Sequence, residues 1–144
     1  MGSLWFLLAA LTSLPAPAAA AQDQEIVVRG EIARMEIERI LQEDNLDTER
    51  LGAGAVVDIM SAIRRGQAPE DFWEAYQTHV RAWRWYAEAE MRIRAQEGAA
   101  FIDGLDDYEA AADAIDSTFD EVERIARLYG ARLPAPIGSS RDIA

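Results

Sequence analysis

From residue 105 to residue 129 the apolar side chains recur at intervals that alternate three and four: Leu105, Tyr108, Ala112, Ile115, Phe119, Val122, Ala126 and Tyr129. An α-helix gathers such positions onto one face, and a seam this regular is that of an antiparallel bundle or coiled coil. Gly130 and Pro134 stop the pattern. The chain must therefore supply further helices to cover the seam.

Three segments qualify. Glu31 to about Glu43 places Ala33, Ile37, Ile40 and Leu41 on one face, with Ile32 at its flank. After the turn-rich Asp44-Asn45-Leu46-Asp47-Thr48 and the helix-weakening Gly52-Ala53-Gly54, a second helix from about Ala55 to Arg65 aligns Val56, Ile59, Met60 and Ile63. Arg64 and Arg65 suit its C-terminal dipole, and Gly66 suits the position just past its end. The third helix opens at Pro69, with Glu70 and Asp71 in the first turn. Its apolar face is Phe72, Tyr76, His79, Val80, Trp83, Tyr86 and Ala87, and Gly98 or Gly104 ends it. The expected fold is all-α: a small up-down bundle of about four helices, residues 31–130. The long third and fourth helices form an antiparallel hairpin, and the two shorter ones cover it.

The first 21 residues read differently. Leu4 to Leu11 is an apolar run of eight residues, far short of the roughly 20 that span a bilayer. A break at Thr12-Ser13-Leu14-Pro15 and small residues before Gln22 follow in the order of a secretory signal, with cleavage between Ala21 and Gln22. The n-region carries no Lys or Arg, which departs from that pattern. Residues 1–21 are thus expected to be a cleaved signal peptide, and the mature chain periplasmic or secreted, with no membrane span. Residues 22–30 are expected to be extended, because Ile26, Val27 and Val28 are β-branched. Residues 131–144 are expected to be a flexible tail.

Charge narrows the partners. The formal net charge is −12, which disfavours nucleic acid and anionic lipid. Without cysteine there is no disulfide, thiolate metal site or lipoprotein anchor. Asp106, Glu109, Asp113, Asp116, Asp120 and Glu123 form a carboxylate ridge beside the seam. Antiparallel pairing would set Arg94, Arg84 and Arg81 opposite Asp106, Asp116 and Asp120. An EF-hand is excluded, since a helical ridge lacks the loop's glycine turn and carbonyl ligands.

No catalytic, metal or cofactor constellation emerges. His79 is the sole histidine, and Tyr76 stands where a Glu-x-x-His di-iron motif requires Glu. A haem held by His79 with Met35, Met60 or Met91 is one reading; a histidine with a local hydrogen bond is the simpler one. Trp73, Tyr76, His79, Trp83 and Tyr86 could line a slot for a small ligand, or be core. Glu36, Glu90 and Glu97 are candidate general acids for a cell-wall hydrolase, although Arg94 offers Glu90 an ion pair at i+4.

Two features suit a protein partner. Trp85 points about 160° away from the apolar face of its helix. There it could cover Arg81, pack under the first two helices, or anchor a partner. The second feature is Glu25-Ile26-Val27-Val28-Arg29-Gly30, which resembles the TonB box that opens TonB-dependent outer-membrane receptors. In that family the segment adds a strand to the sheet of the energy-coupling protein. The likeness spans six residues and departs at Arg29, where the family has a small or hydroxylated residue. The chain is far too short for the family's barrel and plug. The resemblance thus implies docking by an envelope protein rather than transport. The leading expectation is a non-enzymatic periplasmic module that binds a periplasmic or envelope protein. A small-ligand or haem-binding bundle is the alternative, and a cell-wall hydrolase the third.

Overall fold

The computed structural model describes residues 18–95 and 99–137. Four helices make it up: α1 (Ala18–Glu43), α2 (Ala53–Ala62), α3 (Glu70–Ala95) and α4 (Ala99–Leu128). No strand occurs among the described residues. The fold is the all-helical bundle that the sequence implies. α3 and α4 pack along each other, α2 lies on α3, and α1 touches α4.

The core is concentrated at one end of the hairpin. Ile37, Ile40 and Leu41 of α1 and Val56 and Met60 of α2 meet Phe72, Tyr76 and Val80 from the start of α3. Val122, Ile125 and Ala126 come from the end of α4, and Ala131 follows. Phe72, Tyr76, Ile37, Ile40 and Val122 are fully buried. Each such side chain contributes on the order of 2–3 kcal/mol through the water it sheds. α3 is 26 residues long, about 39 Å at the helical rise, so α1 and α2 cover only its first half. Beyond them the hairpin is lined by small buried residues, Ala87, Ala89 and Ala111, together with the Tyr86–Tyr108 pair, whose ring centroids are 4.7 Å apart.

The buried face of α4 is broader than the single seam. Val122 and Ala126 are buried as the spacing requires, but so are Ala111 and Ile125, whereas Ile115 and Phe119 are half-buried. The helix touches both α3 and α1, and two neighbours demand a wider apolar arc than one.

Five expectations need correction. Residues 22–30 are helical, not extended: α1 begins at Ala18 and runs through Ile26, Val27 and Val28. The helix pairs the backbone N–H and C=O groups of this segment internally and continues into the bundle-facing turns of α1 without a break. Arg29 also bonds Glu25 one turn back at 2.5 Å. Residues 131–137 are not a loose tail. Gly130, at φ 70°, closes α4 with the Ala131 N–H on the Ala126 carbonyl and the Gly130 N–H on the Arg127 carbonyl, each at 3.0 Å. This Schellman pairing turns the chain back over the bundle. The Arg132 N–H then meets Glu38 Oε1 at 3.0 Å, and Asn45 Nδ2 donates to the Ala135 carbonyl at 3.0 Å.

Gly66 is not the residue just past α2. That helix ends at Ala62 with Ile63 extended, and Gly66, at φ 58°, forms a turn closed by the Ala68 N–H on the Arg65 carbonyl at 3.2 Å. The glycine also lets the Glu36 carboxylate of α1 approach, since a Cβ there would meet it.

The proposed ladder of arginines against the acidic ridge does not form. Arg94 pairs with Glu90 at 2.7 Å, within its own helix. Arg81 donates to Thr78 Oγ1, and Arg84 reaches Ser61 Oγ at 3.5 Å. Among the described residues, the ion pair joining α3 to α4 is Arg92–Asp107. Gly104 does not end α3; it lies inside α4.

Candidate functional site

Where α1 ends, its apolar face continues into polar side chains. Asp44 stands at 3, 4 and 7 residues from Leu41, Ile40 and Ile37, so the helical period that buries those three also carries Asp44 inward. Its carboxylate accepts a hydrogen bond from the Tyr76 hydroxyl at 3.2 Å. Burial pushes the Asp44 carboxyl up to about 7, and it pushes the Tyr76 hydroxyl up as well.

Asp44 lines a half-open cavity of about 270 Å³. Leu41 of α1, Val56 and Met60 of α2, His79 and Trp83 of α3, and Ile115, Asp116, Phe119 and Glu123 of α4 share it. Asn45, Leu46 and Thr48 of the following turn, and Leu133, Pro134 and Pro136 of the returning C-terminal segment, complete the wall. The hydrogen bonds of Asn45 and Arg132 hold that segment in place.

His79 is 3 % exposed, and burial holds its imidazole down at about 4, so it is neutral at physiological pH. The Trp83 indole N–H donates to His79 Nε2 at 3.2 Å, and His79 Nδ1 lies 2.9 Å from Thr118 Oγ1. Because an indole only donates, Nε2 is the acceptor and Nδ1 carries the proton. The Thr118 hydroxyl in turn donates to the Ala114 carbonyl at 2.6 Å. Both ring nitrogens are thus engaged, which leaves no lone pair for a haem iron or metal. Met35 and Met91, two of the methionines considered as haem ligands, are mostly exposed. Among the described residues no group of three His, Cys, Asp or Glu side chains could hold a metal ion.

Of the aromatic set Trp73, Tyr76, His79, Trp83 and Tyr86, the structure brings His79 and Trp83 to the cavity. Tyr76 is buried beside Phe72 and Trp73, at centroid distances of 6.5 and 5.6 Å. Tyr86 turns to Tyr108, and the hydrogen bond between their hydroxyls pushes Tyr86 up to about 12. Asp44 and the Leu133–Pro136 segment were not singled out from the sequence. The 3-4 spacing from Ile37 signals the first; nothing local signals the second.

Trp85 is 37 % exposed. Its indole N–H donates across the hairpin to Asp107 Oδ1 at 2.9 Å, and Arg92 pairs with the same carboxylate. It therefore packs neither over Arg81 nor under the first two helices. Ile26, Val27 and Val28 are 68, 64 and 56 % exposed, on the part of α1 that precedes the bundle. Glu36 and Glu90 are ion-paired with Arg39 and Arg94; Glu97, Gly98, residues 1–17 and the rest of the expected tail, 138–144, lie outside the described residues. The Ala21–Gln22 junction falls in the first turns of α1.

These observations define an all-helical bundle with one end packed around a half-open cavity and with a helical extension that exposes Ile26, Val27 and Val28. Comparison with protein families, characterised proteins and solved structures gives no match for this chain.

Proposed function

We propose that this chain is an exported, non-enzymatic helical protein that binds a protein partner of the cell envelope through the first turns of α1. The observation that carries the reading is the extension itself: residues 24–31 are all exposed, yet include Ile26, Val27 and Val28. Val28, Ile32 and Met35 recur at i, i+4 and i+7, the spacing with which an amphipathic helix enters an apolar groove. The docking mode is therefore helix-in-groove, in place of the strand addition that the TonB-box likeness implies.

Export rests on the order of apolar run, break and small-residue junction in residues 1–22. No helix among the described residues is long and apolar enough to cross a membrane. Against a hydrolase stands the engagement of Glu36 and Glu90 by Arg39 and Arg94, each within its own helix.

The test places a photo-crosslinking residue at position 28 or at position 74 on α3 in intact cells. The expected result is one envelope protein captured from position 28 only, with capture abolished by Met35→Asp. Equal capture from both positions, or none from position 28, overturns the reading. N-terminal sequencing of the same material should begin at Gln22; an intact Met1 overturns the export step.

A further inference from the structure

The cavity is a second, independent feature, and its chemistry is one-sided. Apolar side chains of Leu41, Val56, Met60, Phe119 and Leu133 make most of its wall. Every ionised group on it is an acid: Asp44, Asp116 and Glu123. None of the described arginines lines it, and the His79 imidazole is neutral with both nitrogens taken. Glu123 is compensated by Arg127 at 2.6 Å, whereas Asp44 has the Tyr76 hydroxyl alone. A cavity with this lining repels anions and, with no metal-holding cluster among the described residues, offers a bare divalent ion too few ligands.

We propose that the cavity binds a small amphipathic organic cation, with its apolar body against Leu41, Met60 and Phe119 and its ammonium at the Asp44 carboxylate. At about 30 Å³ per water-sized group, the space accommodates roughly nine non-hydrogen atoms, the size of an arylalkylamine. The Trp83 ring, like Phe119, adds aromatic surface for the apolar body. The ammonium must displace a proton from Asp44 below about pH 7. The other titratable groups around it are Tyr76 and His79 from α3 and Asp116 and Glu123 from α4. His79 stays neutral down to about 4, so affinity rises with pH toward 7 and then levels.

Three probes with one aryl body separate charge from shape: phenethylamine, 2-phenylethanol and phenylacetate, titrated into the full-length chain by NMR and indole fluorescence. Phenethylamine is expected to bind at least about tenfold more tightly than the alcohol, and phenylacetate not at all. Asp44→Asn should remove the amine's advantage while leaving the alcohol's affinity unchanged. Leu133→Trp, which fills the cavity, should weaken both. Equal binding of all three probes overturns the proposal. So does no binding of the amine at about 10 mM, or an amine preference that survives Asp44→Asn.

Discussion

Asp44 and His79 sit on one cavity and are shifted in opposite senses by the same cause, burial. Asp44 is raised to about 7, so it favours the folded state below its ordinary value near 4 and loses that contribution as pH rises through 7. His79 is lowered to about 4. It favours the folded state above its ordinary value of 6.5 and loses that contribution as pH falls toward 4. Between about 4 and 6.5 the two slopes oppose each other, and the stability of the native chain should be nearly flat with respect to them. Removing either group uncovers the other. Asp44→Asn should give a protein whose Tm rises with pH from 4 to 6.5, and His79→Gln one whose Tm falls from 4 to 7. Thermal unfolding followed by circular dichroism across that range checks both. Parallel pH profiles for the two variants would contradict the opposed shifts.

Among the helices, the decisive event is how α4 stops. Gly130 holds a positive φ with open space around its Cβ position, so a side chain there meets no clash, only the intrinsic cost of left-handed backbone. Gly130→Ala should lower stability by about 1 kcal/mol, and Gly130→Asn by less, because Asn tolerates that region. The same substitution should loosen residues 131–137, since the two bonds of the cap set their direction. Urea unfolding gives the first quantity. Faster amide hydrogen exchange at Ala131 and Arg132, with the middle of α4 unchanged, gives the second. Unaltered exchange at both amides would mean that the contacts to Glu38 and Asn45 hold the segment without the cap.

For the molecule as a whole, stability is localised. The largest buried side chains belong to the end where all four helices meet, while residues 24–31 of α1 are exposed. Phe72→Ala should therefore cost about 3–5 kcal/mol, a large share of what a domain of this size possesses. Val27→Ser and Val28→Ser, on the exposed extension, should shift stability by less than about 0.5 kcal/mol. Chemical denaturation of the three variants compares them directly. A large loss from Val28→Ser would place the extension inside the cooperative unit and weaken its reading as a docking element.

The amino-acid pattern alone determined the four helices, the hairpin of the last two, the inward face of Ile37, Ile40 and Leu41, and the Glu90–Arg94 pair. The helices, the inward face and the ion pair follow from the 3.6-residue period, which is local; the hairpin follows from the need to cover the long apolar seam of α4. It erred where a residue's state depends on what lies opposite. Ile26-Val27-Val28 has β-branched preference, but that preference is weak and context-dependent, and the helix runs through it. The acidic ridge and the arginines of α3 share a hairpin, yet Arg81, Arg84 and Arg94 bond Thr78, Ser61 and Glu90 instead. The cavity was beyond any local reading, because its walls come from residues 41 to 136. Tertiary packing brought the end of α1 and the returning C-terminal segment onto the hairpin, and that burial gave Asp44 and His79 their shifted proton affinities.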